Sequence, residues 1–411
     1  MWWGLVPMFS GRIRRKAALR LLGPCLIAGF MSACSHTRVK DRTTSWDPKA
    51  AASYLDQREV AWRGWIPAEQ DHDTFCIACH TAIPYALARP ALRKMLAEGG
   101  LSVDESKLVD NVTKRVKLWS DIGSFYGGEN AARSRGTESV LNALILASYD
   151  AQNGHLSDST RTAFHDMWAL QKVEGDDRGT WSWLQFGMEP FEAKDSPYYG
   201  ACLSAIAVGL APENYRSAPE IRENLRMLRE YLDRKYETQS TINHAVLLWA
   251  STKLPGLVQP ERQKSIINEL WDDQHADGGW DLPSLAFPRD GSLHSFVRKR
   301  LRSDFTLQES RSDGYATALI TFSLEQAGIP RTDPRLSHGL SWLAHNQDRA
   351  EGLWPSASVN LHRDPSSNIG RFMDDAATGF AVLALSGDTA AVKSEDTVSK
   401  PQLASQNIER K

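Results

Sequence analysis

A pair of helices repeats six times along this 411-residue chain, and a repeat of this kind leaves few folds open. Each pair has a charge-rich amphipathic helix, a turn with Gly and Trp, and an apolar helix rich in Ala and Leu. A single pair cannot bury its apolar face, so neighbouring pairs must stack, and six pairs are enough to close a ring. The predicted charge-rich helices are 52–62, 104–121, 158–171, 219–236, 259–274 and 333–347, and their apolar partners are 75–95, 137–151, 197–210, 241–252, 313–328 and 375–385.

Three turns share a glutamine that is followed by a Gly-x-Trp triplet. Glycine permits a tight turn and glutamine can cap a helix end, so a structural role is predicted. On these turns the chain resembles the terpenoid cyclase and protein prenyltransferase superfamily, the squalene–hopene cyclases in particular. The resemblance implies an all-α fold, an (α/α)6 toroid of six helical hairpins. The turns are Gln171 with Gly179-Thr180-Trp181, Gln274 with Gly278-Gly279-Trp280, and Gln347 with Gly352-Leu353-Trp354.

The sequence Cys76-Ile77-Ala78-Cys79-His80 has the pattern of a c-type haem attachment site. Each thiol can add across a haem vinyl group, and His80 can ligate the iron. A metal site, a redox dithiol and a disulfide are the alternatives. Cys202, in a predicted apolar helix, is most simply a small core residue.

Zinc is the alternative metal. Protein prenyltransferases hold zinc with Asp, Cys and His at the rim of a similar fold, which implies Cys76, Cys79 and His80 here, with Asp313 or Asp374 as the fourth ligand. On the predicted helix 75–95, Cys79 and His80 would point about 100° apart, which disfavours joint ligation.

The motif falls at the amino end of the first apolar helix. In a toroid these ends converge on one mouth of the central cavity, so haem or metal is expected there. A sixth haem ligand of His or Met would favour electron transfer, and an open site would favour small-molecule chemistry. The candidates for it are Met95, Met188, Met373, His72 and His165.

The stretch Phe372-Met373-Asp374-Asp375-Ala376-Ala377 resembles the Asp-x-Asp-Asp-Thr-Ala acid motif of squalene–hopene cyclases. The resemblance implies that Asp374 is the proton donor and Asp375 its catalytic neighbour, because paired carboxylates can keep one proton. Phe372 replaces the first Asp, which weighs against cyclase chemistry. The alternative is a pair of Asp residues that caps the last helix.

Residues 1–33 predict a signal peptide, with five basic residues, no acidic ones and an apolar run at 21–31. The sequence before Cys34 resembles a lipobox, so Cys34 is the expected lipid-bearing residue of a periplasmic, membrane-anchored lipoprotein. Cleavage after Ala33 without a lipid is the alternative.

The rest of the chain is predicted to have three parts: a linker at 34–44, the toroid at 45–387 and a disordered tail at 388–411. The formal net charge of −2 disfavours nucleic acid as a partner.

These features predict an exported haem protein for electron transfer or haem-based redox chemistry. One haem c is the expected cofactor, a redox protein is the expected partner, and an apolar cavity is expected to hold a hydrophobic, isoprenoid-like molecule. Two other functions stay open. One is a cyclase-like or prenyltransferase-like enzyme that uses Asp374 or zinc, and the other is a non-catalytic lipid-binding envelope protein with a Cys76–Cys79 disulfide.

Overall fold

The structure is a computed structural model that describes residues 46–387, and this part of the chain is all α apart from one two-stranded hairpin. The strands are β1 (Glu69–Gln70) and β2 (Thr74–Phe75), and 3₁₀ turns occur at Ile66–Ala68, Gly128–Asn130, Tyr215–Ser217, Pro219–Ile221 and Tyr236–Thr238. The helices are α1 (Pro48–Arg63), α2 (Ala82–Met95), α3 (Val103–Lys117), α4 (Ala131–Asn153), α5 (Asp158–Ala169), α6 (Ser196–Leu210), α7 (Arg222–Lys235), α8 (Thr241–Lys253), α9 (Pro260–Asp272), α10 (Leu282–Leu285), α11 (Leu293–Arg298), α12 (Gly314–Gln326), α13 (Pro334–His345) and α14 (Phe372–Ser386).

The six apolar helices are the inner elements of the structure. Helices α2, α4, α6, α8, α12 and α14 each pack on the next, and α14 packs on α2. The amphipathic helices α1, α3, α5, α7, α9 and α13 flank them, and every predicted helix corresponds to an observed one. Helices α5, α7, α9 and α13 pack mainly on the inner helix that precedes them in the chain, instead of on the predicted partner that follows them. The all-α prediction is confirmed, and the (α/α)6 toroid, with which this closed order of contacts agrees, stays a prediction.

The three Gln and Gly-x-Trp turns are built alike. In each turn the glutamine amide donates to the carbonyl of the glycine, at 3.0, 2.9 and 3.2 Å for Gln171, Gln274 and Gln347. The indole N–H of each buried tryptophan donates to the carboxyl-terminal part of the preceding amphipathic helix. Buried polar groups are thereby paired, which gives these residues a structural role.

The same glutamines join successive outer helices. Gln171 donates to the carbonyl of Asn224 in α7, and Gln274 donates to that of Arg335 in α13. Gln347 exchanges two hydrogen bonds with the backbone of Asp47, the cap of α1, across 300 residues of sequence. The Gln347 turn is therefore bonded to the amino end of α1, in the same way as the Gln171 turn is bonded to α7 and the Gln274 turn to α13.

One expectation about the first inner helix is wrong. Helix α2 begins at Ala82 instead of 75, so the 76–80 motif lies in a turn between β2 and α2. The helix runs from Ala82 to Met95 without a break, although it contains Pro84 and Pro90. Pro84 lies in the first turn, where its missing N–H leaves no hydrogen bond unmade.

The predicted signal peptide (1–33), the lipid-bearing Cys34, the linker (34–44) and the tail (388–411) lie outside the described residues. Within 46–387, no helix is long and apolar enough to cross a bilayer.

Candidate functional site

The backbone of the cysteine motif is held from three sides. Trp62 of α1 donates its indole N–H to the carbonyl of Cys76 at 2.6 Å, and the amide N–H of Cys76 donates to the carbonyl of Ala68 at 2.8 Å. Asn111 of α3 accepts from the backbone N–H of Phe75 and donates to its carbonyl. The turn is therefore fixed before α2 begins.

Both thiols of the motif are free and buried, with Cys76 8% and Cys79 1% exposed. Burial raises the pKa of each thiol well above its usual value, and the nearby carboxyl of Glu192 raises both pKa values further. The cysteines are therefore protonated in this fold and poor nucleophiles at neutral pH.

Glu192 is a site residue that the sequence did not reveal. It is 8% exposed, and its carboxyl group lies near enough to raise the pKa of both thiols. Burial raises its pKa to about 7. It follows no repeat and no motif, so only the fold brings it to the cysteines.

The imidazole of His80 is fixed by aromatic rings. Phe372 of α14 stacks on it, with ring centroids 3.6 Å apart and an interplanar angle of 17°. The indole of Trp62 meets it edge-on at 5.2 Å. Burial lowers the pKa of His80 to about 3, so the ring is neutral under physiological conditions.

Asp375 determines which nitrogen of His80 carries the proton. Burial raises the pKa of Asp375, but both of its carboxylate oxygens accept from the guanidinium of Arg58, at 2.7 and 3.1 Å, and this two-bond ion pair opposes the rise and keeps the carboxylate ionised. Thr81 must then donate its hydroxyl hydrogen to Asp375, at 2.7 Å. The Thr81 oxygen therefore accepts from Nδ1–H of His80, at 2.9 Å. Nε2 of His80 is left with its lone pair, as a metal ligand requires.

A cleft beside His80 contains two of the five candidate sixth ligands. Met188 and Met373 line it, together with Phe191, Glu192 and Phe372. The other three candidates are not among its lining residues. Of the five candidates, Met188 and Met373 are thus the ones that line the cleft beside His80, and the sixth ligand stays a prediction.

Phe191 lines this cleft and also packs against aromatic side chains of the inner helices. Its ring lies 6.4 Å from that of His80 and 5.5 Å from that of Tyr315, and Tyr315 lies 5.8 Å from Phe380. The cleft has a volume of only about 40 Å³. The ligand atoms suit a haem, but a porphyrin needs Phe191 and its loop, residues 186–193, to lie farther from His80.

Asp374 and Asp375 differ in their surroundings. Asp375 is fully buried in the pair with Arg58. Asp374 accepts from the backbone N–H of Ser356 at 2.8 Å, and burial raises its pKa to about 7. Neither caps α14, whose cap position is Arg371, so the capping interpretation is wrong. The proton-donor interpretation of Asp374 stays a prediction.

The structure gives the zinc alternative little support. Asp313 caps α12 by accepting from the amides of Tyr315 and Ala316, and it also accepts from Ser356 Oγ. Within residues 46–387, no three His, Cys, Asp or Glu side chains converge as a metal-binding group. Cys79 and His80 lie in a turn instead of the predicted helix, so helical geometry does not set the angle between their side chains.

Comparisons with known proteins complete the description. No protein family model matches this chain, and no curated protein matches it. Among solved structures, the chain is similar to a polysaccharide lyase, with 10% sequence identity and a TM-score of 0.48, over 84% of this chain and 98% of that one.

Proposed function

We propose that this chain is an exported c-type haem protein in which Cys76 and Cys79 bind one haem covalently and His80 is the axial ligand. The observation that carries the proposal is the state of His80. Its ring is neutral, Nδ1 donates to Thr81, and Nε2 keeps its lone pair, one residue after a Cys-x-x-Cys pair. When bound, a haem supplies one-electron redox chemistry at this position.

Cys76 and Cys79 would hold a haem through thioether bonds to its two vinyl groups. This attachment would need no oxidant, since each sulfur would bond to one vinyl carbon and the thiol hydrogen would end on the other. Because Cys79 is 1% exposed, the folded turn does not present it to a porphyrin. The two cysteines would therefore have to bind the group before the chain closes around the motif, and loop 186–193 would have to lie farther from His80 than it does here.

The supporting features of the cleft favour electron transfer over small-molecule turnover. Met188 and Met373 supply thioether groups beside His80. The packed rings of Phe191, Tyr315 and Phe380 leave little room between them for an isoprenoid-like molecule. A redox protein in the cell envelope is the partner that this function requires.

The test is haem staining after denaturing electrophoresis of protein made with a c-type maturation system. Cys76→Ser and Cys79→Ser should lose the covalent stain, singly in part and together completely. Cys202→Ser is the matched control, because Cys202 is equally buried but lies in α6, outside the motif, and it should keep the stain. Staining that persists in the double variant, or that never occurs in the wild-type chain, would refute the proposal.

A second candidate function is favoured by one observation, the raised pKa of Asp374. A carboxyl group with a pKa of about 7 is half protonated at neutral pH and can act as a general acid in a cyclase-like enzyme. The test is turnover of polyprenyl substrates by the wild-type chain and by Asp374→Asn. Turnover that Asp374→Asn abolishes, in colourless protein, would support this function over the haem.

A further inference from the structure

We infer that the segment from Leu293 to Leu307 is a docking surface for the headgroup region of an anionic lipid bilayer. Among the described residues, fourteen large apolar side chains are notably exposed, and five of these lie within this short segment. An apolar cluster of this density on a protein surface marks an interaction site. The five are Leu293 (77%), Phe296 (55%), Val297 (39%), Phe305 (83%) and Leu307 (74%).

The first part of the surface is helix α11. Leu293, Phe296 and Val297 are spaced by three and four residues, so they lie on one face of the helix. Within the described chain, no aromatic contact covers the ring of Phe296 except the guanidinium of Arg300, which lies 3.9 Å from its centroid. An apolar ring under a cation is the arrangement that suits the boundary between lipid tails and headgroups.

The second part is a tight turn that presents Phe305. Leu301 and Leu307 pair across this turn, and the backbone N–H of Phe305 donates to the carbonyl of Arg302 at 3.0 Å. Phe305 has a left-handed backbone, with φ of 62°, which is unfavourable for a bulky residue. A strained backbone that exposes a phenylalanine indicates a selected feature.

The base of the segment is firmly attached to the body of the protein. Arg302 is 9% exposed and donates through Nε to the carbonyl of Ser358 at 2.7 Å. Gln308 donates to the carbonyl of Val359 at 2.7 Å. The exposed side chains therefore project from a fixed platform, which lowers the entropy cost of docking.

The charge of the segment identifies the partner. Residues 293–307 contain four basic residues and one acidic residue, whereas the whole chain has a formal net charge of −2. The acidic residue, Asp304, accepts from the amide of Thr306 and also from that of His362. Arg300 is exposed, and its guanidinium lies over the ring of Phe296. Lys299 is half-buried, and the carboxylates of Asp273, Asp281 and Asp290 are near enough to stabilise its charge. Apolar side chains beside an exposed cation, in a segment of net positive charge, complement an anionic membrane surface.

The inference goes beyond the proposed haem function and does not depend on it. It places one face of the protein against the bilayer through side chains of the folded body, whether or not Cys34 carries a lipid. Side chains of this size reach about 5–10 Å into the interface, and they do not span the bilayer.

The test measures whether the exposed side chains of this segment enter a lipid bilayer, instead of whether the whole protein binds to vesicles. Single cysteines replace Leu293 or Phe305 in the full chain with Cys25→Ser and Cys34→Ser, which leaves no other site for the dye or a lipid in the first 45 residues, and are labelled with the environment-sensitive dye NBD. The native Cys76, Cys79 and Cys202 are buried. Ile66→Cys is the matched control, because Ile66 is 78% exposed and lies outside the segment. Vesicles of phosphatidylcholine, with and without phosphatidylglycerol, are then added.

We expect a blue shift and a several-fold rise in NBD emission at both segment positions with the anionic vesicles, a weaker change with neutral vesicles, and no change at Ile66. Lys299→Glu combined with Arg300→Glu should reduce the response, whereas Lys107→Glu, an exposed charge reversal on α3, should not. No response at either segment position, or an equal response at Ile66, overturns the inference. An emission change caused by added unlabelled protein without vesicles also overturns it and shows contact with a second copy instead.

Discussion

Thr81 Oγ1 lies 2.7 Å from Oδ2 of Asp375, a contact between residues 294 positions apart. It links α14 to the turn that carries the cysteine motif. Because Asp375 accepts the Thr81 hydroxyl hydrogen, Thr81 in turn accepts the Nδ1 hydrogen of His80. The last inner helix thus sets the tautomer of a histidine in the turn that precedes the first inner helix.

Replacing Thr81 by Val should break this link with little change of volume. Asp375 and Nδ1 of His80 each lose a buried partner, so we expect a loss of roughly 1–3 kcal/mol in the free energy of unfolding, measured with urea. In the haem-loaded protein the midpoint potential should also shift, because His80 is no longer held as the Nδ1–H tautomer.

Thr321→Val is the control for this change. The hydroxyl of Thr321 is fully buried and has no hydrogen bond partner, so its removal should be neutral or stabilising. Equal effects of the two substitutions on stability, with no shift in potential for Thr81→Val, would contradict the proposed link.

Glu59 should make the stability of the protein depend on pH. Its side chain is fully buried in α1, both carboxyl oxygens lack a hydrogen bond partner among residues 46–387, and burial raises its pKa from 4.5 to about 8. Between these two values the unfolded chain releases the proton while the folded chain keeps it. The contribution of Glu59 to stability therefore falls as the pH rises through this window and levels off above it.

Glu59→Gln should remove that dependence, because the amide stays neutral at every pH. We expect the variant to gain stability relative to the wild-type chain as the pH is raised from about 5 to about 8, measured from urea midpoints. Glu220→Gln, at an exposed position, should show no such gain. A constant difference between Glu59→Gln and the wild-type chain across this range would count against a buried, protonated Glu59.

Gly352→Ala should be strongly destabilising, because the turn that joins the two ends of the described chain has no room for a side chain. A Cβ at Gly352 would lie 2.2 Å from the carbonyl oxygen of Ala50 in α1, and its φ is 83°. We expect a loss of more than about 2 kcal/mol in thermal or urea unfolding. Gly154→Ala is the control that isolates the cost of the left-handed backbone, since Gly154 has φ of 68° but open space around it. This variant should lose about 1 kcal/mol in the free energy of unfolding.

The helices were predictable from the sequence because a helix repeats its apolar positions over several turns. Their packing partners were less so, since α5, α7 and α9 pack mainly on the inner helix that precedes them. The short hairpin and the turn at 76–80 were not, since the apolar run after Phe75 continues without a break into α2. The contacts that form the site join residues far apart, such as Arg58 with Asp375 and Phe191 with Tyr315. Local patterns therefore indicated Cys76, Cys79 and His80 as candidate ligands, but they did not indicate Glu192 or that loop 186–193 lies over the motif.

The most direct test of the account is the absorption spectrum of the full chain, expressed with a c-type haem maturation system and extracted under denaturing conditions. The account predicts sharp bands on reduction with dithionite that remain with the polypeptide, at one haem per chain. A colourless polypeptide, from cells that mature a control cytochrome, would contradict it.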